Sequence, residues 1–356
     1  MNHIYADVSG NIGYVHSGGI PVRKQGHSGA FPVAGNSSSM KPTEYLKPLV
    51  ILNPDSGYIS SSNNRVEPYG SEQCRSMDYQ VHFRAQRIKQ LINDKNNGSL
   101  FHVDDFKIIQ NDSVNMYFVH LKPMLHLLGD FMDHDDAKNE LLNLLQWDGV
   151  MSKGSKSASV FELWIAKLNK IVCDQVGTPY GGTQGYYFIL DILLYNTSDE
   201  ACRKSDCLRH AAEELQDVVR DLHNHYNEIP EWGNSGIHIS KFKNMLLDGT
   251  PLECYACSSL ITSGGTEIVS TPSPNEIDHD KLKITTISSP IFRLIADLSG
   301  AGQFSWSLNQ DGNILSSEFN DNIRNWIDFK NGHGQYHSIL NSRHVKRWRY
   351  DQTLEK

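Results

Sequence analysis

A chain of 356 residues is long enough for one large or two ordinary domains, and 39% hydrophobic with 21% charged residues marks a globular protein with a real core rather than a disordered one. The net charge of −8 argues against general binding to nucleic acid, which needs clustered Lys and Arg to displace counterions. No membrane span is expected either: the most apolar run, Tyr186 to Tyr195 (YYFILDILLY), is short and broken by Asp191.

Met1 is followed at once by strand-like sequence with no signal-peptide pattern, so the natural beginning of the protein is expected to lie upstream. Tyr5 to Val8 and Ile12 to His16 flank a Ser-Gly-Asn turn and read as a hairpin. Gly26 to Met40, rich in Gly, Ser and Pro, reads as a long irregular loop. Leu49 to Leu52, Asn53 to Gly57 and Tyr58 to Ser60 suggest strand, turn, strand. From Phe83 the apolar period becomes helical. Val103 to Asp105 looks like a helix start, with Phe106, Ile109, Val114 and Phe118 following. Leu141 to Trp147, Val160 to Val172 and Ala211 to Tyr226 are further helices. Strand character returns at Lys283 to Ile287 and Phe292 to Leu298. A loop from Gly300 to Asn313 then leads to an amphipathic helix around Asp321 to Phe329.

This order suggests an α+β fold in one intertwined domain. Residues 1–70 would be its strand-rich part, 71–280 a mostly helical region, and 281–356 the returning strands with a C-terminal helix.

Common catalytic signatures are missing: there is no GxSxG elbow, P-loop, HExxH or strand–GxGxxG–helix. His223 and His225 point apart on a helix and read as surface residues. Asp133, His134, Asp135 and Asp136 could hold a cation but also suit an acidic helix start. Cys254 and Cys257 form a lone CxxC, and Cys202 and Cys207 lie five apart; structural, disulfide and metal readings all stay open. Arg343 to Arg349 (RHVKRWR) reads as a solvated helix face.

Other segments are more informative. Asn2 to His16 with Gly18, Pro21 and Arg23, Asn53 to Asn64 (NPDSGYISSSNN), and Phe83 to Ile88 (FRAQRI) occur in an order that resembles the β-chain of penicillin acylases. So do Asp104-Asp105, Gln110 to Asn115, Trp147 to Gly149, Phe161 to Trp164 (FELW), Trp232-Gly233, Arg293 to Leu298 and Asn309 to Trp326. The sequence departs from the family at Asn309 to Gly312 (NQDG), where Gly-Gln-Ser-Gly is usual.

The resemblance implies part of an N-terminal-nucleophile αββα sandwich with a large helical insertion. In that family a β-chain serine attacks an amide carbonyl and its own α-amino group serves as base. Here the serine-bearing opening of the β-chain and the α-chain are absent, so the chain alone is expected to be inactive. Its partners would be those segments of the same precursor and a small-molecule amide; the alternative is a non-catalytic fragment or binding module that keeps the fold. The first Asn of the family's Asn-Asn pair donates to the tetrahedral oxyanion, which carries that role to Asn63; taken by itself, Asn63 reads as an ordinary turn residue that caps its own loop. Arg87 matches an arginine beside the active site, and also suits a surface helix. The family's structural calcium would fall near the Gly29 carbonyl and Asp78. A periplasmic or secreted location is implied as well.

Overall fold

The computed structural model describes residues 2–23, 44–67, 79–95, 99–176, 204–243, 249–253, 257–270, 273–298 and 302–306, with isolated positions at 32, 189–190, 193, 247, 313–316, 319, 323, 327 and 337–338. Two compact units emerge, Met1–Lys89 and Gln90–Lys356. The predicted loop at Gly26 to Met40 and the basic stretch at Arg343 to Arg349 lie outside the described residues, apart from Pro32. So do the 309–312 departure and all but Ile323 and Ile327 of the last helix.

The first unit opens with the expected hairpin, β1 (Asn2–Ala6) and β2 (Ile12–His16), and β3 (Leu49–Leu52) pairs antiparallel with β2. Asp7 makes the turn. Its Oδ1 accepts from the backbone N–H groups of Ser9 and Asn11, at 2.9 and 3.0 Å, and its Oδ2 from the Asn11 amide at 3.0 Å. Those bonds, the Asn11 side chain's first, hold the Asp7 carboxyl below its ordinary pKa. Gly10, at φ +86°, supplies the left-handed step. The register aligns Ile4, Tyr14 and Ile51 on one face, where Tyr14 is buried. On the other face Tyr5, Val50 and Leu52 remain 56–66% exposed. After β3 the chain turns as expected, Gly57 N–H closing on Pro54 O at 2.9 Å. Residues 58–60, read as a strand, run without ladder partners among the described residues.

Helix α1 (Phe83–Lys95) begins in the first unit. The second unit continues with α2 (Val103–Asn111), α3 (Met116–Leu125), a 3-10 turn over His126–Phe131, α4 (Asp135–Gln146), α5 (Lys156–Val176) and α6 (Lys204–Tyr226). The run expected from Val103 through Phe118 is two helices. Asn115 divides them, its Oδ1 capping the Phe118 N–H at 3.0 Å while Val114 bridges to Val150. The acidic cluster is a helix start: Asp135 and Asp136 occupy the first turn of α4, where the helix dipole favours anions.

Aromatic packing holds the helices. Phe118, Trp147 and Phe161 form a cluster with centroids 4.3–5.7 Å apart. The Trp164 indole N–H donates to Ala211 O at 2.9 Å, joining α5 to α6. Gly149, at φ +81°, lets the Phe118 ring lie 3.1 Å from where a Cβ would stand.

Strand character resumes at β4 (His238–Lys243), earlier than the sequence suggests. It joins β5 (Cys257–Leu260), β6 (Ser273–Asp278) and β7 (Lys283–Ser288) in the order β5-β4-β7-β6, with β4 and β7 parallel. The buried positions His238, Ser240, Thr285 and Thr286 are polar, which hides the apolar alternation a strand normally advertises. Strands β8 (Phe292–Ala296), β9 (Gly302–Trp306) and β10 (His337–Ser338) form a separate antiparallel ladder; β9 occupies sequence that reads as loop. No helix among the described residues is long and apolar enough to cross a membrane.

One buried carboxyl ties this unit together. Glu162 on α5 accepts from the Thr266 N–H at 2.8 Å, pairs with the Thr266 hydroxyl at 2.9 Å, and lies 3.5 Å from the Asn115 amide. Burial pushes it up from 4.5 to about 7, against the pull of the Thr266 bonds. The folded state therefore holds a proton that the unfolded chain releases, and this contribution to stability is lost as pH rises from 4.5 towards 7. Over that window the loss should be about 3 kcal/mol at most. Glu162→Gln should melt with wild type at pH 5 and above it at pH 8; parallel melting profiles for the two proteins would refute the assignment.

Candidate active site

The first unit assembles its polar site from loops tied to the hairpin. Asn53, at φ +45°, accepts from Ile12 N–H through Oδ1 at 2.8 Å and donates through Nδ2 to Asn11 Oδ1 at 3.0 Å. Asn2 makes a second tie: its Oδ1 accepts from the Tyr14 hydroxyl at 2.8 Å and its Nδ2 donates to Ser61 Oγ at 3.1 Å. The segment between these anchors leads directly into Asn63 and Asn64.

The two asparagines differ in every respect. Asn64 is buried, and both ends of its amide serve the local backbone: Oδ1 accepts from Ser62 N–H at 3.0 Å, and Nδ2 donates to Arg65 O at 2.8 Å. Asn63 is exposed and sits at φ +64°, the left-handed region that Asn tolerates better than most residues. Its backbone carbonyl accepts from Gln80 N–H at 3.0 Å. Its side-chain Oδ1 accepts from Arg84 Nη2 at 2.9 Å. A guanidinium has no acceptor, so the amide must turn its oxygen towards Arg84 and its NH2 away. Among the described residues that NH2 meets no acceptor.

A third contact steadies the same region. The Tyr79 hydroxyl lies 2.7 and 2.8 Å from the two oxygens of the buried Glu67 carboxylate. Together with the Gln80–Asn63 bond it pins the stretch before α1 to the Asn-Asn turn.

Of the residues singled out in the sequence, Asn63 thus lies in an ordered polar arrangement. Arg87 is half-buried one turn further along α1, and the guanidinium that reaches Asn63 is that of Arg84. Gly29 and Asp78 lie outside the described residues. Among the described residues no group of three or more His, Cys, Asp or Glu is placed to hold a metal. Arg84 and Asn53, which the sequence does not single out, belong to the same polar arrangement. An i, i+3 arginine pair at a helix start was the only available signal for Arg84, and helix phase alone does not say which arginine faces the preceding loop. Elsewhere, Cys207 is disulfide-bonded and Cys173 is a buried free thiol. His223 and His225 fall in the last turn of α6, the first half-buried and the second exposed.

The fold is that of the N-terminal-nucleophile hydrolases. The whole chain superposes on 67% of a thermostable penicillin G acylase from Alcaligenes faecalis, with a TM-score of 0.66 at 17% identity. A family model described as penicillin amidase matches residues 1–340, and the chain belongs to that family. Among curated proteins it is 28% identical over 194 residues to Escherichia coli penicillin G acylase, a match covering 51% of this chain and 23% of that protein. It is 27% identical over 195 residues to the acyl-homoserine lactone acylase QuiP of Pseudomonas fluorescens, covering 50% and 23%. The matched stretch thus spans about a quarter of the length of these relatives.

The asymmetry between the two asparagines makes a stability prediction. Asn64→Ala removes the partner of two part-buried backbone groups and should cost about 1–3 kcal/mol. Asn63→Gly, which suits the left-handed backbone, should leave stability within about 0.5 kcal/mol of wild type. Urea denaturation of both variants tests this; a larger loss at Asn63 than at Asn64 would reverse their roles.

Proposed function

We propose that this chain supplies the oxyanion-binding part of an amidase that removes acyl groups from small linear amides. The observation carrying the proposal is the Asn63 amide, held by Arg84 with its NH2 turned outward. A neutral N–H donor suits an oxyanion because it stabilises developing negative charge without adding a full charge beside the nucleophile. Membership of a family whose relatives are named as penicillin and acyl-homoserine lactone acylases supports the reaction class.

In this reading the nucleophile is a serine on a segment outside these 356 residues. Its hydroxyl attacks the amide carbonyl, its own α-amino group takes the proton, and the carbonyl oxygen becomes the oxyanion that Asn63 Nδ2 binds. The proton then passes to the leaving amine, and water releases the acyl group. Because a similar species would form during precursor self-cleavage, Asn63 would serve both steps. Arg87 would support the surrounding polar network. A structural calcium ion would bind near the Gly29 carbonyl and Asp78. A periplasmic or secreted location accords with the disulfide at Cys207, since such bonds persist in oxidising compartments.

Two measurements test the proposal. In the mature enzyme that contains this chain, Asn63→Gly should lower kcat by roughly a hundredfold or more, with KM changed far less. Unchanged kcat would remove the oxyanion role. The chain by itself should release no 4-nitroaniline from phenylacetyl or octanoyl 4-nitroanilide, because the nucleophile and base act as a unit. Turnover by the purified chain that survives Asn63→Gly would show that the reaction uses other groups.

A further inference from the structure

We propose that Arg84 is a positioning residue for Asn63, setting which end of its amide faces the reaction; this rests on the oxyanion reading above. The amide oxygen and nitrogen of an asparagine are nearly equal in size, so packing alone distinguishes them poorly. A half-turn of the side-chain amide would present an acceptor to the oxyanion and repel it. The backbone of Asn63 is already fixed, by its left-handed φ of +64° and by the Gln80 N–H bond to its carbonyl. What remains free is the amide orientation, and the contact that decides it is Arg84 Nη2 to Asn63 Oδ1, at 2.9 Å.

Arginine suits this task because it only donates and keeps its charge at every working pH. The cation also draws electron density towards Oδ1 and makes the Nδ2 hydrogens better donors, the cooperative strengthening expected along a hydrogen-bonded chain. Arg84 thus acts at one remove, without touching substrate. Its place at the start of α1 gives it a firm base: Phe83 and Ala85 beside it are buried, so the helix start is anchored on both sides of the arginine.

The test is a double-mutant cycle in the mature enzyme that contains this chain, with phenylacetyl and octanoyl 4-nitroanilides as probes. Arg84→Met should lower kcat on the order of tenfold with KM within about twofold, the effect of losing a charge-assisted bond that matters in the transition state. Arg84→Lys, which keeps a donor, should restore most of kcat. In the Asn63→Gly background Arg84→Met should add less than about twofold, because its target is gone. Should Arg84→Met fold poorly, Arg84→Gln replaces it; glutamine can offer either end of its own amide and should lose a similar part of kcat. If Asn63→Gly abolishes activity while the Arg84 variants keep full kcat, the positioning role fails and the oxyanion reading stands. Equal losses from Arg84→Met in both backgrounds would also overturn it, since Arg84 would then act elsewhere. If Asn63→Gly itself leaves kcat intact, the failure belongs to the oxyanion reading.

Discussion

Backbone polar groups that leave a helix or ladder must find other partners, and here a small set of Asn and Asp side chains supplies them. Asp7 closes the hairpin turn, Asn53 fastens the next loop to that hairpin, Asn64 satisfies its own turn, and Asn115 caps α3. Each side chain spends its hydrogen-bonding capacity on holding the fold, within its own turn or, for Asn53 and Asn115, across to distant segments. Asn63 departs from the pattern. Its oxygen is held by a side chain and its NH2 meets no acceptor among the described residues. In a chain that uses amides so consistently as structural ties, the exception is where chemistry should be sought.

The motifs behind the family resemblance divide along the same line. Trp147 to Gly149, Phe161 to Trp164 and Trp232-Gly233 lie in the second unit and serve packing. The Phe118–Trp147–Phe161 cluster, the Trp164 bond to Ala211 and the Trp232 indole bond to Gly264 O at 2.7 Å show what they do. Glu162 belongs with them despite its strongly shifted carboxyl. Its shift follows from burial in a tightly packed interior, where a Cβ on Gly265 would stand 2.5 Å from Met151 and 2.6 Å from Glu162. The motifs around Asn53 to Asn64 and Phe83 to Ile88 instead build the polar site of the first unit.

The parts legible in the sequence were those where one local cause dominates. The hairpin follows from two apolar runs around Ser-Gly-Asn, and the long helices from their apolar period, because in each the deciding interactions lie within a few residues. The break at Asn115 was hidden because it depends on Gly149 and Val150, far along the chain. Strands β4 to β6 were hidden because buried hydroxyls and a histidine stand among the apolar positions of their sheet and break the pattern. The same limit applied to the site. Asn63 was legible through a motif, whereas its partner Arg84 is defined by a contact twenty-one residues away.

Position 63 is constrained twice, and the two constraints together leave little choice. The left-handed backbone at φ +64° admits Gly, Asn and Asp at low cost and penalises most others. Facing Arg84 requires an acceptor, which excludes Gly. In the proposed oxyanion role, presenting a donor on the opposite side also excludes Asp, whose ionised carboxylate only accepts. Asparagine alone combines the conformational tolerance, the acceptor and the donor in one small side chain. At position 64 the amide is equally necessary, but both of its ends are turned inward on the turn itself. Two adjacent identical residues thus carry opposite duties, one holding the loop in shape and the other holding a donor ready at its surface.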